Sequence, residues 1–383
     1  MPKRFLGINP TFLLILLLLQ GLQAFNNPIL YYIGFASSLI VIICGCISGL
    51  LGFCKKPQTI FIWVSLFSLW TLFNSIILGS SNFIYSFLLQ TSLLFFALGL
   101  YYSKIAIKTM IIFEKIFTIF FIIYLGIAIY IYTVYGEYVL TYLSMGATGL
   151  KLTFVFSLFF LIKSKNKLIP SIIISLLFLY IGERTAAIII PLIYLLYKLF
   201  NIKLISDRYS NVLFCIFISV AIILPFIYLN LKEIQLGSTL NDISQEYTNA
   251  NFYSGRDRIW STIIENNKGR EWVGHGLENN VLKQNGITLS PHNLYMYIYL
   301  TGGFTSLIIF ALFLYCFYKK YSQYLFEKDV RYCASVFLGI LIFLDFEYLL
   351  IGNNVPVSVF LWLVMTWGLI KKKHMKKLTQ SCS

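Results

Sequence analysis

Charge and metal-binding side chains are what this chain has least of. Of its 383 residues only 15 are Asp or Glu and 3 are His, and charged residues make up 12% of the total. No CxxC, HExxH, Walker loop or aspartate-rich motif occurs in it, so the usual zinc, nucleotide and magnesium signatures are missing and neither a metal nor a cofactor is expected. There are seven cysteines, Cys44, Cys46, Cys54, Cys215, Cys316, Cys333 and Cys382. None falls in the one large hydrophilic segment, roughly 230–291, which disulfides therefore do not hold even in an oxidising compartment.

What fills the sequence instead is apolar. Hydrophobic residues make up 58% and aromatic ones 18%, with a mean hydropathy of +0.79, far above an ordinary soluble domain. Apolar runs recur from end to end, so residues 1–383 read as a single all-α polytopic membrane domain. The start, "MPKRFLGINPTFLLILLLLQGLQAF", resembles a signal peptide, but no small-x-small cleavage site follows and a second long apolar run does; it reads as a retained first helix. Segments of roughly 11–25, 29–53, 59–79, 83–101, 116–135, 150–162, 168–182, 185–197, 211–229, 293–318, 332–351 and 356–370 give about twelve helices.

Every second connection between these segments is basic: Lys3 and Arg4, Lys55 and Lys56, Lys104 and Lys108, Lys163 to Lys167, Lys198 to Arg208, Lys319 to Arg331, and Lys371 to Lys377. Short basic loops stay in the cytoplasm, so both termini are expected there, in a multi-pass cytoplasmic (inner) membrane protein. That topology and contact with anionic membrane lipids account for most of the +15 net charge; nucleic acid is not an expected partner. The alternate connections, including residues 230–291 and the Glu183-Arg184 turn, fall on the outer side. Chemistry is expected on that side.

Three outward-facing residues stand out. In "LFLYIGERTAAIIIPL" (177–192), Arg184 sits at the tip between two arms of about 15 residues, which reach only about 22 Å into a core near 30 Å. The tip therefore lies below the outer surface, where an arginine is costly unless paired; a buried anion site is expected, and a snorkelling arginine that fixes topology is the alternative. In "NFYSGRDRIWSTIIENNKG", Ser254 reads as an N-cap, Trp260, Ile263 and Ile264 as an apolar stripe laid on the membrane, and Gly269 as the stop. Arg256, one turn before Trp260, suits a lipid-borne phosphate; an ordinary basic surface helix is the alternative. In "SPHNLYMYIYLTGGFTS", Ser290 reads as the cap, Pro291 as the first helical residue and His292 as part of the first turn. The helix dipole there favours a neutral imidazole able to accept a proton; a capping or interfacial histidine is the alternative. His275, between glycines, reads as structural, and His374 belongs to the basic tail.

The order of "ERTA", then "SGRDRIW" followed by "GHGLENN", then "HNLYMYIYLTGGFTS" resembles the O-antigen polymerase and O-antigen ligase family. That family's pattern of His-Asn, nine residues and Gly-x-x-Gly is matched by His292, Asn293 and Gly303, with Ser306 in place of the second glycine. The resemblance covers Gly182 to Ser306. It implies a GT-C-like, metal-independent glycosyltransferase whose donor and acceptor are glycans linked to polyprenyl (undecaprenyl) diphosphate, with a chain-length regulator as a further partner. It implies Arg184, Arg256 and His292 as functional residues, with Glu183, Arg258, Trp260, Asn293 and Tyr295 beside them as candidate substrate contacts.

On this reading the two guanidiniums hold the diphosphate and His292 takes the acceptor's hydroxyl proton, which gives inversion. A double displacement needs a carboxylate nucleophile, for which Glu183, Asp257 and Glu278 are candidates. A polymerase is favoured over a ligase acting on lipid A-core, because the outer segment is short and lacks a dense basic patch. A lipid-linked sugar flippase is the rival of another class. Its midplane polar groups are scarce here, with Glu114 and Lys115 near one end of the fifth segment and Asp345 and Glu347 toward the outer end of the eleventh.

Overall fold

The computed structural model describes residues 9–24, 27–55, 58–78, 82–103, 107–138, 146–203, 205–232, 234–248, 251, 253, 255–352 and 354–381. Lys3, Arg4, Lys56, Lys104 and the expected N-cap Ser254 lie outside them. The helices are α1 (Pro10–Gly21), α2 (Pro28–Lys55), α3 (Thr59–Ile77), α4 (Phe83–Tyr102), α5 (Ile107–Tyr138), α6 (Gly146–Lys163), α7 (Leu168–Tyr180) and α8 (Arg184–Leu199). They continue with α9 (Ser210–Lys232), α10 (Gln235–Thr248), α11 (Arg256–Asn266), α12 (Val281–Gln284), α13 (Leu294–Ser322), α14 (Lys328–Phe343) and α15 (Val355–Ser381).

Each of the twelve apolar segments contains a helix. Among the described residues, six helices, α2, α3, α4, α5, α9 and α13, are long and apolar enough to cross a membrane. Their outer faces are apolar as well: Ile40, Ile43, Ile47 and Leu51 on α2 and Ile112, Ile119 and Ile123 on α5 are exposed. A water-facing surface does not tolerate such a belt, whereas lipid does. The fold is that of an all-helical, multi-pass membrane protein. At its centre the stretch of α15 from Val355 to Ile370 is buried all round, with Val357, Phe360, Trp362, Val364 and Trp367 inaccessible, as expected for a helix apolar on every face.

Small residues set the closest approach. A Cβ on Gly45 would lie 2.3 Å from the Phe96 ring, and one on Gly99 would lie 2.1 Å from the Gly45 carbonyl. Gly45 and Gly49 thus form the face on which α2 meets α4, as small-xxx-small faces do in membranes.

One end of the bundle is tied by ions. Lys371 pairs with Glu114 at 2.6 Å and with Asp329 at 3.0 Å, and Trp367 Nε1 donates to Glu114 at 2.8 Å. Lys167 Nζ donates to the carbonyls of Leu161, Ile162 and Ser164 at 2.6–3.0 Å, closing the end of α6. These contacts explain why α5 begins at Ile107 rather than near 116: Glu114 and Lys115 lie within the helix, and the Glu114 carboxylate has its partners.

At the opposite end two expected boundaries move. α13 begins at Leu294 with Asn293 as its cap, accepting from Met296 N at 2.8 Å, so Ser290 is not the cap and His292 precedes the helix. α14 ends at Phe343 rather than near 351 because the following chain turns back onto that cap. Leu294 N donates to Leu344 O at 2.9 Å, and Asn293 Nδ2 donates to Asp345 O at 2.9 Å and Asp345 Oδ1 at 3.2 Å.

α13 is also broken. Gly303 adopts φ 64°, ψ −167°, open to glycine and not to other residues. The carbonyls freed before the break find donors in the preceding loop and in α3: Asn267 Nδ2 to Tyr299 O, His275 N to Leu300 O, Gly276 N to Thr301 O and Trp70 Nε1 to Gly302 O, all at 2.8–3.0 Å. The "GHGLENN" and "GGFTS" stretches are thus two halves of one joint. A Cβ on Gly274 would come within 2.7–2.8 Å of backbone at Leu300, Gly302 and Gly303.

Candidate functional site

The α7–α8 hairpin closes in a way that presents Arg184. Gly182 (φ 85°) follows the end of α7; Glu183 N donates to Phe178 O at 2.9 Å and Gly182 N to Leu179 O at 3.2 Å, the paired bonds of a Schellman turn. α8 starts directly at Arg184 with Glu183 as its N-cap. Pro191 inside α8 leaves the carbonyl four residues earlier without its helical donor, and the Ser175 hydroxyl supplies one to Ala187 O. With 13 and 16 residues, the arms rise only about 20 and 24 Å.

Arg184 and Glu183 line a cavity of about 690 Å³ together with Arg256, Glu347, Tyr228 and Ser244. Below this polar end the wall is apolar: Ile188 and Leu192 follow Arg184 at one and two turns along α8, and Leu224, Ile227 and Leu231 face them from α9. Two guanidiniums therefore stand at the head of an apolar groove. Arg256 is braced from the α14–α15 connection, its guanidinium lying 5.5 Å from the Phe346 ring centre and its Nη2 donating to Phe346 O at 3.4 Å.

α11 is oriented differently from the sequence expectation. Gly255 in a left-handed conformation (φ 74°) precedes its first residue, Arg256. Its apolar stripe of Ile259, Trp260 and Ile263 is buried inside the protein rather than laid on lipid, because the faces of α9 and α13 cover it. Trp260 is 0% exposed, packs on Tyr228 at 5.1 Å and donates from Nε1 to Pro291 O at 2.9 Å. It is a strut between α11 and the His292 segment, not a membrane anchor.

His292 lies between two such restraints, Trp260 on Pro291 and the Asn293 clamp on Asp345, with φ 47°, a conformation a non-glycine residue adopts only when its surroundings enforce it. Burial holds its imidazole below the ordinary histidine value; Glu347 pulls it upward, and Arg256 and Lys151 press it down. The expected direction is present, but its main cause is desolvation and not a helix dipole. His292 is half-buried and stands beside the cavity rather than in its lining.

The remaining candidates separate. Asn293 is fully buried as cap and clamp. Tyr295 is 1% exposed with its hydroxyl donating to Leu341 O at 2.8 Å, so both carry internal contacts. Arg258 is exposed on the far flank of α11, outside the lining. Of the three carboxylates considered as nucleophiles, Glu183 lines the cavity, while Asp257 and Glu278 do not; Glu278 accepts from the Ser86 hydroxyl instead. His275 ties its loop down, Nε2 meeting Asn266 O at 3.1 Å.

Sequence reasoning passed over a pair at the cavity edge. Lys151, in the first turns of α6, forms an ion pair with Glu347 at 2.5 Å, and both side chains are mostly buried. A lysine just after "GEYVLTYLSMGATG", a stretch with no positive charge, was the available signal. Among the described residues no group of three or more His, Cys, Asp or Glu is gathered to hold a metal ion. No protein-family model matches the chain, and no curated protein matches it.

Proposed function

We propose that the protein is a polysaccharide polymerase of the O-antigen polymerase type: a metal-independent, inverting glycosyltransferase with twelve membrane crossings, both termini in the cytoplasm and residues 230–291 outside. Its substrates are glycans carried on polyprenyl diphosphate at the outer face of the cytoplasmic membrane. The observation that carries the reading is the cavity with Arg184 and Arg256 at its head and the apolar faces of α8 and α9 below. A lipid diphosphate has that distribution of charge and grease. Guanidiniums grip phosphate with paired hydrogen bonds, and their placement in a poorly hydrated site strengthens them.

In the reaction the acceptor's hydroxyl oxygen bonds to the anomeric carbon as the bond from that carbon to the phosphate oxygen breaks. The bonding pair leaves with the diphosphate, and Arg184 and Arg256 stabilise the charge it gains. His292 takes the hydroxyl proton; burial keeps it neutral and therefore able to do so. The Trp260–Pro291 bond and the Asn293–Asp345 clamp restrain the segment that carries that ring.

The test is chain extension. Purified protein in lipid nanodiscs, given a defined lipid-linked repeat unit in the presence of EDTA, is expected to yield a ladder of longer lipid-linked products. Protein that binds the unit and yields nothing longer overturns the proposal. In cells, loss of a polymerase leaves single repeat units on the surface, whereas loss of a ligase leaves none.

A further inference from the structure

The geometry points to Glu347 as a positioning residue that acts through His292, with Lys151 as its counter-ion. This rests on the glycosyl-transfer reading above and adds to it a residue that holds the base's charge once the acceptor's proton has arrived. Two backbone segments carry the pair. His292 stands immediately before the α13 cap and Glu347 two residues beyond Asp345, and the segments are stitched together by Leu294 N to Leu344 O at 2.9 Å and by Asn293 Nδ2 to Asp345 O at 2.9 Å. These buried bonds hold the two segments side by side. It also lines the cavity beside Arg184 and Arg256, so its charge is presented where the reacting groups gather.

The charged groups that act on His292 come from three elements: Glu347 from the α14–α15 connection, Arg256 from α11 and Lys151 from α6. Two of the three are cations that oppose an imidazolium; Glu347 alone favours it. When His292 accepts the hydroxyl proton, the new positive charge is formed close to two existing ones, and a carboxylate on the same side lowers the cost of that step. Lys151, paired with Glu347 at 2.5 Å, holds the carboxylate aimed before the substrate binds.

The experiment separates this inference from the reaction itself. With three histidines in the chain, ring-labelled histidine gives three signals, assigned with His275→Asn and His374→Asn in the full-length purified protein. The His292 midpoint is then followed by NMR in wild type, Glu347→Gln, Lys151→Met and the double variant. Glu347 exerts the largest pull and Lys151 the smallest push of the three. The expected order of midpoints is therefore Glu347→Gln lowest, then the double variant, then wild type; Lys151→Met releases Glu347 from its anchor, so its midpoint is expected at or below the wild-type value rather than above it. In the extension assay Glu347→Gln is expected to lower kcat about tenfold or more with KM little changed, and to move the acid limb of the pH profile downward; Glu347→Asp restores part of both.

A role confined to folding would lower activity at every pH and leave the limb where it is. The double variant leaves no orphan charge, so it reports even where Glu347→Gln fails to fold. A His292 midpoint unmoved in both Glu347→Gln and the double variant overturns the inference, whether or not chains are extended. Midpoints in the expected order from a wild-type protein that extends no glycan would show instead that the proposed reaction is wrong, and Glu347's part in it with it.

Discussion

Replacing Asn293 by alanine removes three hydrogen bonds at one buried point. The side chain caps α13 through Met296 N and donates twice to Asp345, to its carbonyl at 2.9 Å and its carboxyl at 3.2 Å. Losing the cap costs about 1 kcal/mol. Leaving a buried carbonyl and a buried carboxyl without donors costs about 1–3 kcal/mol each, and Asp345 is 0% exposed with its Oδ2 already lacking a hydrogen-bond partner. A destabilisation of about 3–7 kcal/mol follows. At an unfolding entropy of about 2.1 cal/mol/K per residue, that corresponds to a fall of about 4–9 °C in Tm for a chain of this length.

Asp345→Asn retains an acceptor facing Asn293 and should cost less than about 1 kcal/mol. The assay is thermal unfolding of purified protein in matched detergent, with the two single variants and the Asn293→Ala/Asp345→Asn pair forming a double-mutant cycle. If Asn293→Ala melts within about 1 °C of wild type, the clamp does not hold the site and the placement of His292 needs another cause.

Other perturbations test other parts. Gly303→Ala places a Cβ 2.3 Å from the Trp272 carbonyl carbon at φ 64°, so it should destabilise by about 2 kcal/mol or more, read as a lowered Tm and as faster backbone exchange at residues 271–276. Arg256→Lys should lose nearly as much chain extension as Arg256→Ala if two parallel hydrogen bonds to phosphate matter; full activity with lysine would reduce the residue to a simple charge. Because burial lowers the His292 pKa, the neutral, proton-accepting form persists as pH falls through the ordinary histidine value of about 6.5. The acid limb of extension activity should therefore lie below that value, and a limb above it would remove His292 as the base. Gly45→Val should separate α2 from α4 and lower Tm, with little change in substrate affinity in whatever folded protein remains.

The helical frame and the turn that carries Arg184 were legible from local pattern. Apolar length and the alternation of basic loops marked the segments, and the short arms around Gly182 put Arg184 in a recess. What stayed hidden depends on contacts between distant residues. Ser290 and Asn293 are both good caps by composition; the choice falls to Asn293 because Asp345, 52 positions away, accepts from it. Nothing local tells Trp260 to face inward, since an indole suits a lipid interface and a protein core equally until Tyr228 and Pro291 are placed beside it. The Lys151–Glu347 pair joins positions 196 apart, beyond the reach of any periodicity. The end of α14 was overrun for the same reason: its apolar run continues to Ile351, but the backbone bonds of Leu344 and Asp345 go to α13.

The central claim is that the groove beneath Arg184 and Arg256 receives a polyprenyl diphosphate, and labelling tests it directly. A photoreactive polyprenyl diphosphate added to the purified protein in nanodiscs is expected to attach to Ile188 or Leu192 on α8 and to Ile227 or Leu231 on α9. Arg184→Ala or Arg256→Ala should weaken its binding by about ten- to a hundredfold, the loss of one charge-assisted phosphate contact. Labelling confined to other lipid-facing helices, at an affinity neither substitution changes, would contradict the account.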